Sequence, residues 1–173
     1  FVGVNAFVGQ EPAGWTVNNF KIDKIASGGA GYDYFSIKTE AKAESTSTAH
    51  KSFDPVTGKF YFQTYILLPE KADGAKVSLM GDGKEVFTFE TRNGKICIGD
   101  KELYEYTDNV WYLLSLDADT NTGSADIKIN GKKKASVNFT SKIFDGVNIS
   151  FAPSEDAVMW FDDVELYPLV DHY

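Results

Sequence analysis

The sequence predicts an all-β protein, a two-layer antiparallel β-sandwich or jelly roll, and three observations predict it. Turn signals recur at short spacing along the chain, the runs between them are rich in β-branched and aromatic residues, and no stretch beyond about a dozen residues keeps the i, i+3, i+4, i+7 spacing of a helix. The turn signals are Gly28-Gly29, Asp54-Pro55-Val56-Thr57-Gly58, Gly81-Asp82-Gly83, Asn93-Gly94, Gly99-Asp100, Asp119 to Gly123, Asn130-Gly131 and Asp145-Gly146. Glycine and asparagine tolerate the positive φ that tight hairpins require, and proline presets the turn angle.

The elements follow in order between these signals. Lys21–Ala26 is a candidate helical turn, and Tyr32–Thr39 is the first strand run, entered through the double glycine. Lys59–Leu68 alternates cleanly: Phe60, Phe62, Ile66 and Leu68 fall on one side, Tyr61, Gln63 and Tyr65 on the other. A period of two means opposite faces of a sheet, so the first set is core. Ala75–Met80 and Glu85–Thr91 flank the Gly81-Asp82-Gly83 turn; Phe87 and Phe89 share the core side, with Thr88, Glu90 and Arg92 opposite. Lys95–Ile98 follows Asn93-Gly94, and Val110–Asp117 is an apolar run headed by Val110-Trp111-Tyr112. Ala125–Ile129 and Ala135–Phe139 flank Asn130-Gly131, with Ile127 and Ile129 inward and Asp126, Lys128 and Asn130 outward. Val147–Phe151 and Val158–Leu166 complete the set.

A chain of 173 residues suits one domain with a sizeable core. Its formal charge is −8, from 17 Lys and Arg against 25 Asp and Glu, and Arg92 is the only arginine. A protein that tracks a phosphate backbone needs a concentrated basic face, so nucleic acid is not an expected partner. The longest apolar stretches, such as Val110–Leu114 and Ala157–Phe161, are far shorter than the roughly 20 residues that span a bilayer. Phe1 opens directly into folded-looking sequence, and the chain reads as an excised piece of something longer. The single cysteine, Cys97, excludes an intramolecular disulfide and a multi-thiolate zinc site. His50 and His172 are the only histidines, in polar or terminal settings, so imidazole catalysis has few candidates.

Three stretches carry a resemblance: Pro12-Ala13-Gly14-Trp15; Trp111-Tyr112-Leu113-Leu114 running into Asp117-Ala118-Asp119 and Asp126-Ile127-Lys128-Ile129-Asn130-Gly131-Lys132; and Trp160-Phe161-Asp162-Asp163-Val164-Glu165-Leu166. Their order resembles the concanavalin A-like and laminin-G-like jelly-roll modules attached to secreted bacterial polysaccharide-degrading enzymes, over nearly the whole length. The resemblance implies that residues 1–173 form one non-catalytic carbohydrate-binding module outside the cell, often with structural calcium. A glycan and a covalently linked catalytic domain are then the expected partners, and the module is read as a monomer.

The same fold carries retaining β-glucanases and alginate-type lyases. The glucanases resembling it place Glu-x-Asp-x-x-Glu or Glu-x-Asp-x-Glu on one strand, which sets nucleophile and acid at working separation. Asp163-Val164-Glu165 lacks the further carboxylate, and Glu102 and Glu105 are three apart in a tyrosine-bearing loop segment. A lyase would need a positioned His or Tyr beside groups that neutralise a uronate, and neither histidine lies in a strand motif. Catalysis is therefore not expected.

The candidate sugar-binding set is Tyr61, Gln63 and Tyr65 with Thr88, Glu90 and Arg92, because aromatic faces stack on the apolar side of a pyranose while short polar and charged groups take its hydroxyls. A loop-end alternative uses Tyr32 and Tyr34, or Tyr104 and Tyr106. Trp111 and Trp160 are expected to be packed, Trp111 in the core, and Trp15 to plug one end of the sandwich. Asp162 and Asp163 are candidate ligands for structural Ca²⁺, resembling an acidic pair of related jelly rolls, with Asn5 and Glu11 as conceivable partners. The alternative is an Asp that caps backbone N–H groups. Asp117-x-Asp119-x-Asn121-x-Gly123 has alternating oxygen donors but reads as a polar turn. Lys132-Lys133-Lys134 is a solvated hairpin shoulder, and the sequons at Asn138 and Asn148 lie in strand-like runs.

Overall fold

The computed structural model describes residues 8–24 and 35–169. In chain order the strands are β1 (Thr16–Asn18), β2 (Lys21–Lys24), β3 (Phe35–Ala41), β4 (Ser47–Val56), β5 (Lys59–Leu67), β6 (Ala75–Gly81) and β7 (Lys84–Arg92). They continue with β8 (Lys95–Ile98), β9 (Lys101–Glu105), β10 (Trp111–Asp119), β11 (Ser124–Ile129), β12 (Lys132–Asn138), β13 (Phe144–Phe151) and β14 (Ala157–Pro168). Two seven-stranded antiparallel sheets result, ordered β1-β4-β13-β6-β7-β8-β9 and β12-β11-β10-β5-β14-β3-β2. This is the expected jelly-roll β-sandwich.

Three two-residue hairpins set the register by chemistry alone. Asp82-Gly83, Asn93-Gly94 and Asn130-Gly131 all hold positive φ at both central positions, the type I′ signature whose twist matches that of paired strands. They join β6 to β7, β7 to β8 and β11 to β12, with Gly81 opposite Lys84, Arg92 opposite Lys95 and Ile129 opposite Lys132.

The core is built from phenylalanines on facing sheets. Phe144 of β13 lies 4.8 Å from Phe60 of β5 and 5.6 Å from Phe87 of β7, ring centroid to ring centroid. Near the opposite edge, Phe161 meets Trp15 at 5.3 Å and Phe20 at 5.4 Å. Burying each such ring contributes about 1.5–3 kcal/mol, so these clusters bind the two layers together. A polar clamp adds to them: Asn19 donates from Nδ2 to Thr39 Oγ1 of β3, at 3.2 Å, and to Ser47 Oγ of β4, at 3.0 Å, bridging the two sheets.

Several sequence expectations change. Lys21–Lys24 is strand β2, not a helical turn: Ile22 is buried opposite Ile37 while Lys21 and Lys24 are exposed. Strands β1, β4 and β9 carry no strong sequence signal. In β4 the core-facing side begins with Ser47 and Ala49 and the other side is Thr48, His50 and Ser52, so apolar alternation is faint. Pro55 also belongs to β4, at an irregularity in its pairing with β13, where a missing N–H costs no ladder bond.

Candidate functional site

The alternation read from the sequence is present, yet the predicted six-residue set does not share a face. Phe60, Phe62, Phe87 and Phe89 all point into the core, so their outward neighbours diverge. Tyr61, Gln63 and Tyr65 lie on the outer face of the second sheet, and Thr88, Glu90 and Arg92 on the outer face of the first. The thickness of the sandwich separates them, so they cannot grip one ligand together.

On the second sheet the register assembles rows across strands. Asp117, Tyr61 and Tyr167 form one, Ser115, Gln63 and Glu165 the next, and Trp111, Leu67, Trp160 and Lys38 a third further along. Tyr61 and Tyr167 pair at 5.1 Å between ring centroids, and Tyr167 is 45 % exposed, so aromatic surface stays open to solvent. The Tyr61 hydroxyl donates to Gln63 Oε1 at 2.8 Å, and Gln63 Nε2 donates to the Asp163 carbonyl at 3.2 Å. Burial, followed by the nearby Tyr167, Asp117 and Glu165 charges, pushes the Tyr61 phenol above its usual range against the lowering effect of Ser115. Lys128 and Asp117 form an ion pair at 2.6 Å beside this row, and Lys133 and Asp126 another at 3.1 Å.

Trp111 was expected in the core and is not there. Tyr112 takes the inward position of β10, which sends Trp111 to the outer face, edge-on to Tyr65 at 6.4 Å. Its indole N–H is buried and finds no acceptor among the described residues. Trp160 is packed as expected, but on this same outer face, with the Lys38 ammonium 5.1 Å from its ring. Trp15 joins the core beside Phe161, where Lys51 approaches its ring at 5.9 Å. Tyr167 was missed because the sequence reads Tyr167-Pro168 as an exit. A bulge between Asp162 and Glu165 resets the alternation and turns Glu165 and Tyr167 outward.

The first sheet presents a hydroxyl and amide face. Thr16, His50, Asn148, Ser78 and Thr88 form one row, with His50 Nδ1 bonded to Asn148 Oδ1 and Nε2 3.0 Å from Ser52 Oγ. His50 therefore does stand mid-strand, beside an asparagine. Thr88 bonds Ser78 at 2.9 Å, while Arg92 is held by Glu90 and donates to the Gly99 carbonyl at 2.9 Å. Asn148 also donates to Met80 Sδ, so its sequon asparagine is engaged on both sides.

Asp162 and Asp163 occupy the bulge of β14. Ser36 Oγ donates to Asp162 Oδ2 at 3.0 Å, and the Asp163 N–H donates to Oδ1 at 2.8 Å. Asp162 is 2 % exposed, and these bonds satisfy a buried carboxylate in the manner of a backbone cap. Calcium takes six to eight oxygens. Among the described residues no three His, Cys, Asp or Glu side chains converge anywhere, and Asn5 lies outside them.

Tyr106 is fully buried and donates to Asp73 Oδ1 at 2.8 Å, whereas Tyr104 is exposed under Lys134; Tyr32 and Tyr34 lie outside the described residues. Glu102 and Glu105 stand on strand β9 rather than in a loop, Glu102 paired with Lys95 at 2.7 Å. Asp119 Oδ1 accepts the Asn121 N–H at 2.9 Å, the bond of a polar turn.

No protein-family model and no curated protein matches the chain. Solved structures do. A sialidase superposes with TM-score 0.67 at 7 % identity, over 87 % of this chain, which spans only 17 % of the sialidase. The globular domain of T. cruzi calreticulin superposes with TM-score 0.66 at 11 % identity, covering 94 % of this chain and 87 % of its own. An alginate lyase of Polysaccharide Lyase family 7 gives TM-score 0.56 at 13 % identity, covering 78 % and 79 %. At such identities the likeness establishes the two-layer jelly-roll sandwich and not the chemistry done on it.

Proposed function

We propose that this domain is a non-catalytic carbohydrate-binding module that holds an attached extracellular enzyme on a polysaccharide or glycan. The observation that carries the reading is the open Tyr61–Tyr167 pair beside Gln63, Asp117 and Lys128 on the second sheet. Stacking supplies affinity with little ordering cost, because the rings are already held by the strands, and the polar row selects hydroxyl orientation. Tyr65 and Trp111 extend the platform along the face. Thr88, Glu90 and Arg92 belong to the other face and take no part.

Titration calorimetry against a panel of plant, algal and host glycans tests this directly. Affinity for at least one, weakened tenfold or more by Tyr167→Ala or Tyr61→Ala, is expected. Silence across the panel would remove the proposal.

A second reading has one specific observation in its favour, the His50, Asn148 and Ser52 cluster on the first sheet. A histidine to take the C5 proton and an asparagine to face the carboxylate are two of the groups that β-elimination of a uronan uses, the departing 4-oxygen taking its proton from water. Incubation with alginate and polygalacturonate would then release products with 4,5-unsaturated absorbance, abolished by His50→Ala.

A further inference from the structure

We propose that the second-sheet face selects uncharged sugars and rejects uronates and other anionic glycans, with Glu165 as a principal rejecting group; this rests on the binding reading above. The charges around the aromatic pair make the case. Asp117, Asp119, Asp126, Asp163 and Glu165 stand on or beside the face, against Lys59, Lys128 and Lys133. Lys128 is already held by Asp117 and Lys133 by Asp126, and Lys59 stands across from Asp119. Glu165 is exposed in the row of Gln63, adjacent to the row of Tyr61 and Tyr167, where a sugar ring stacked on the tyrosines would lie.

Recognition of a carboxylate calls for a fixed cation, and arginine's planar fork is the usual provider. The only arginine of the chain lies on the opposite face of the sandwich, locked between Glu90 and the Gly99 carbonyl. A neutral pyranose finds the reverse situation: carboxylates accept two hydroxyls at once, and the stacked ring brings no charge against Glu165. One like charge placed about 5 Å from Glu165 in a water-like dielectric weakens binding about fourfold, and more where water is excluded.

The test uses matched polymers. Alginate and polygalacturonate are compared with their carboxyl-reduced products, which keep backbone and linkage but lose the charge, alongside neutral β-glucan and galactomannan, by affinity electrophoresis of the whole domain. The wild type is expected to be retarded by uncharged members only, and Glu165→Lys is expected to narrow the gap between alginate and its reduced form in low salt. A uronan that binds wild type as well as its reduced counterpart overturns the selection while leaving the binding reading intact. Retardation by none of the polymers overturns the binding reading, and the selection with it. Unchanged retardation of Tyr167→Ala, with native circular dichroism, places the site off this face and likewise refutes the proposal.

Discussion

Replacing Asp162 by alanine removes a carboxylate that is 2 % exposed and accepts from Ser36 Oγ at 3.0 Å and from the Asp163 N–H at 2.8 Å. Bonds to a charged acceptor each contribute about 1.5–3 kcal/mol, and the two stranded donors add their own desolvation cost. Set against them is the penalty for holding a charge out of water, which alanine relieves. The expected net loss is about 2–4 kcal/mol, and for a domain of this size each kcal/mol lowers Tm by roughly 2–4 °C. Asp162→Asn keeps an acceptor for the Asp163 N–H, and Ser36 can turn to accept from the new amide, so a loss of only about 1 kcal/mol is expected. Thermal melts of the three proteins, each with excess calcium and with chelator, separate the two roles of this carboxylate. If hydrogen bonding is its role, the variants rank Ala below Asn below wild type, and calcium shifts none of them. A wild-type Tm that climbs with calcium, and an asparagine variant as damaged as the alanine one, would refute the reasoning and restore a metal at this bulge.

Other outcomes follow from the same geometry. Thr88→Ala and Arg92→Ala should leave glycan affinity unchanged within twofold by calorimetry, because both lie on the face opposite Tyr61. Asn19→Ala breaks the clamp to Thr39 and Ser47 and should cost about 1–3 kcal/mol in urea unfolding, since both buried hydroxyls lose a donor and keep only the bond from Thr39 Oγ1 to Ser47 Oγ. Burial, then the Asp73 hydrogen bond and charge, raises the Tyr106 phenol well above its ordinary 10.0. Above pH 10 the unfolded chain therefore releases this proton before the folded one does, and stability falls with rising pH. Tyr106→Phe should flatten that alkaline decline in Tm measured by circular dichroism.

The core was legible in the sequence because a pleated strand with one wet face writes its burial in every second residue. Phe60, Phe62, Phe87 and Phe89 read correctly for that reason, and the type I′ hairpins read correctly because Asn-Gly and Asp-Gly admit few alternatives. The binding set failed at a longer range. Alternation says which side of a strand faces inward but not which sheet the strand joins, and β5 and β7 lie in different layers. Tyr61 and Arg92 thus point away from each other although each points outward. The β14 bulge hid Tyr167 and Glu165 by breaking the period, and strand β4, with His50, was hidden by small inward residues that bury little apolar surface.

Cys97 sits fully buried on β8, one strand from the margin of the first sheet, and among the described residues β9 beyond it pairs with no strand but β8. Burial also keeps the thiol protonated and sluggish in the native state. Its alkylation rate therefore counts how often the β8–β9 corner peels open, without any engineered label. Compared with global unfolding, that rate would report whether this margin of the sandwich frays as a separate cooperative unit or melts only with the whole.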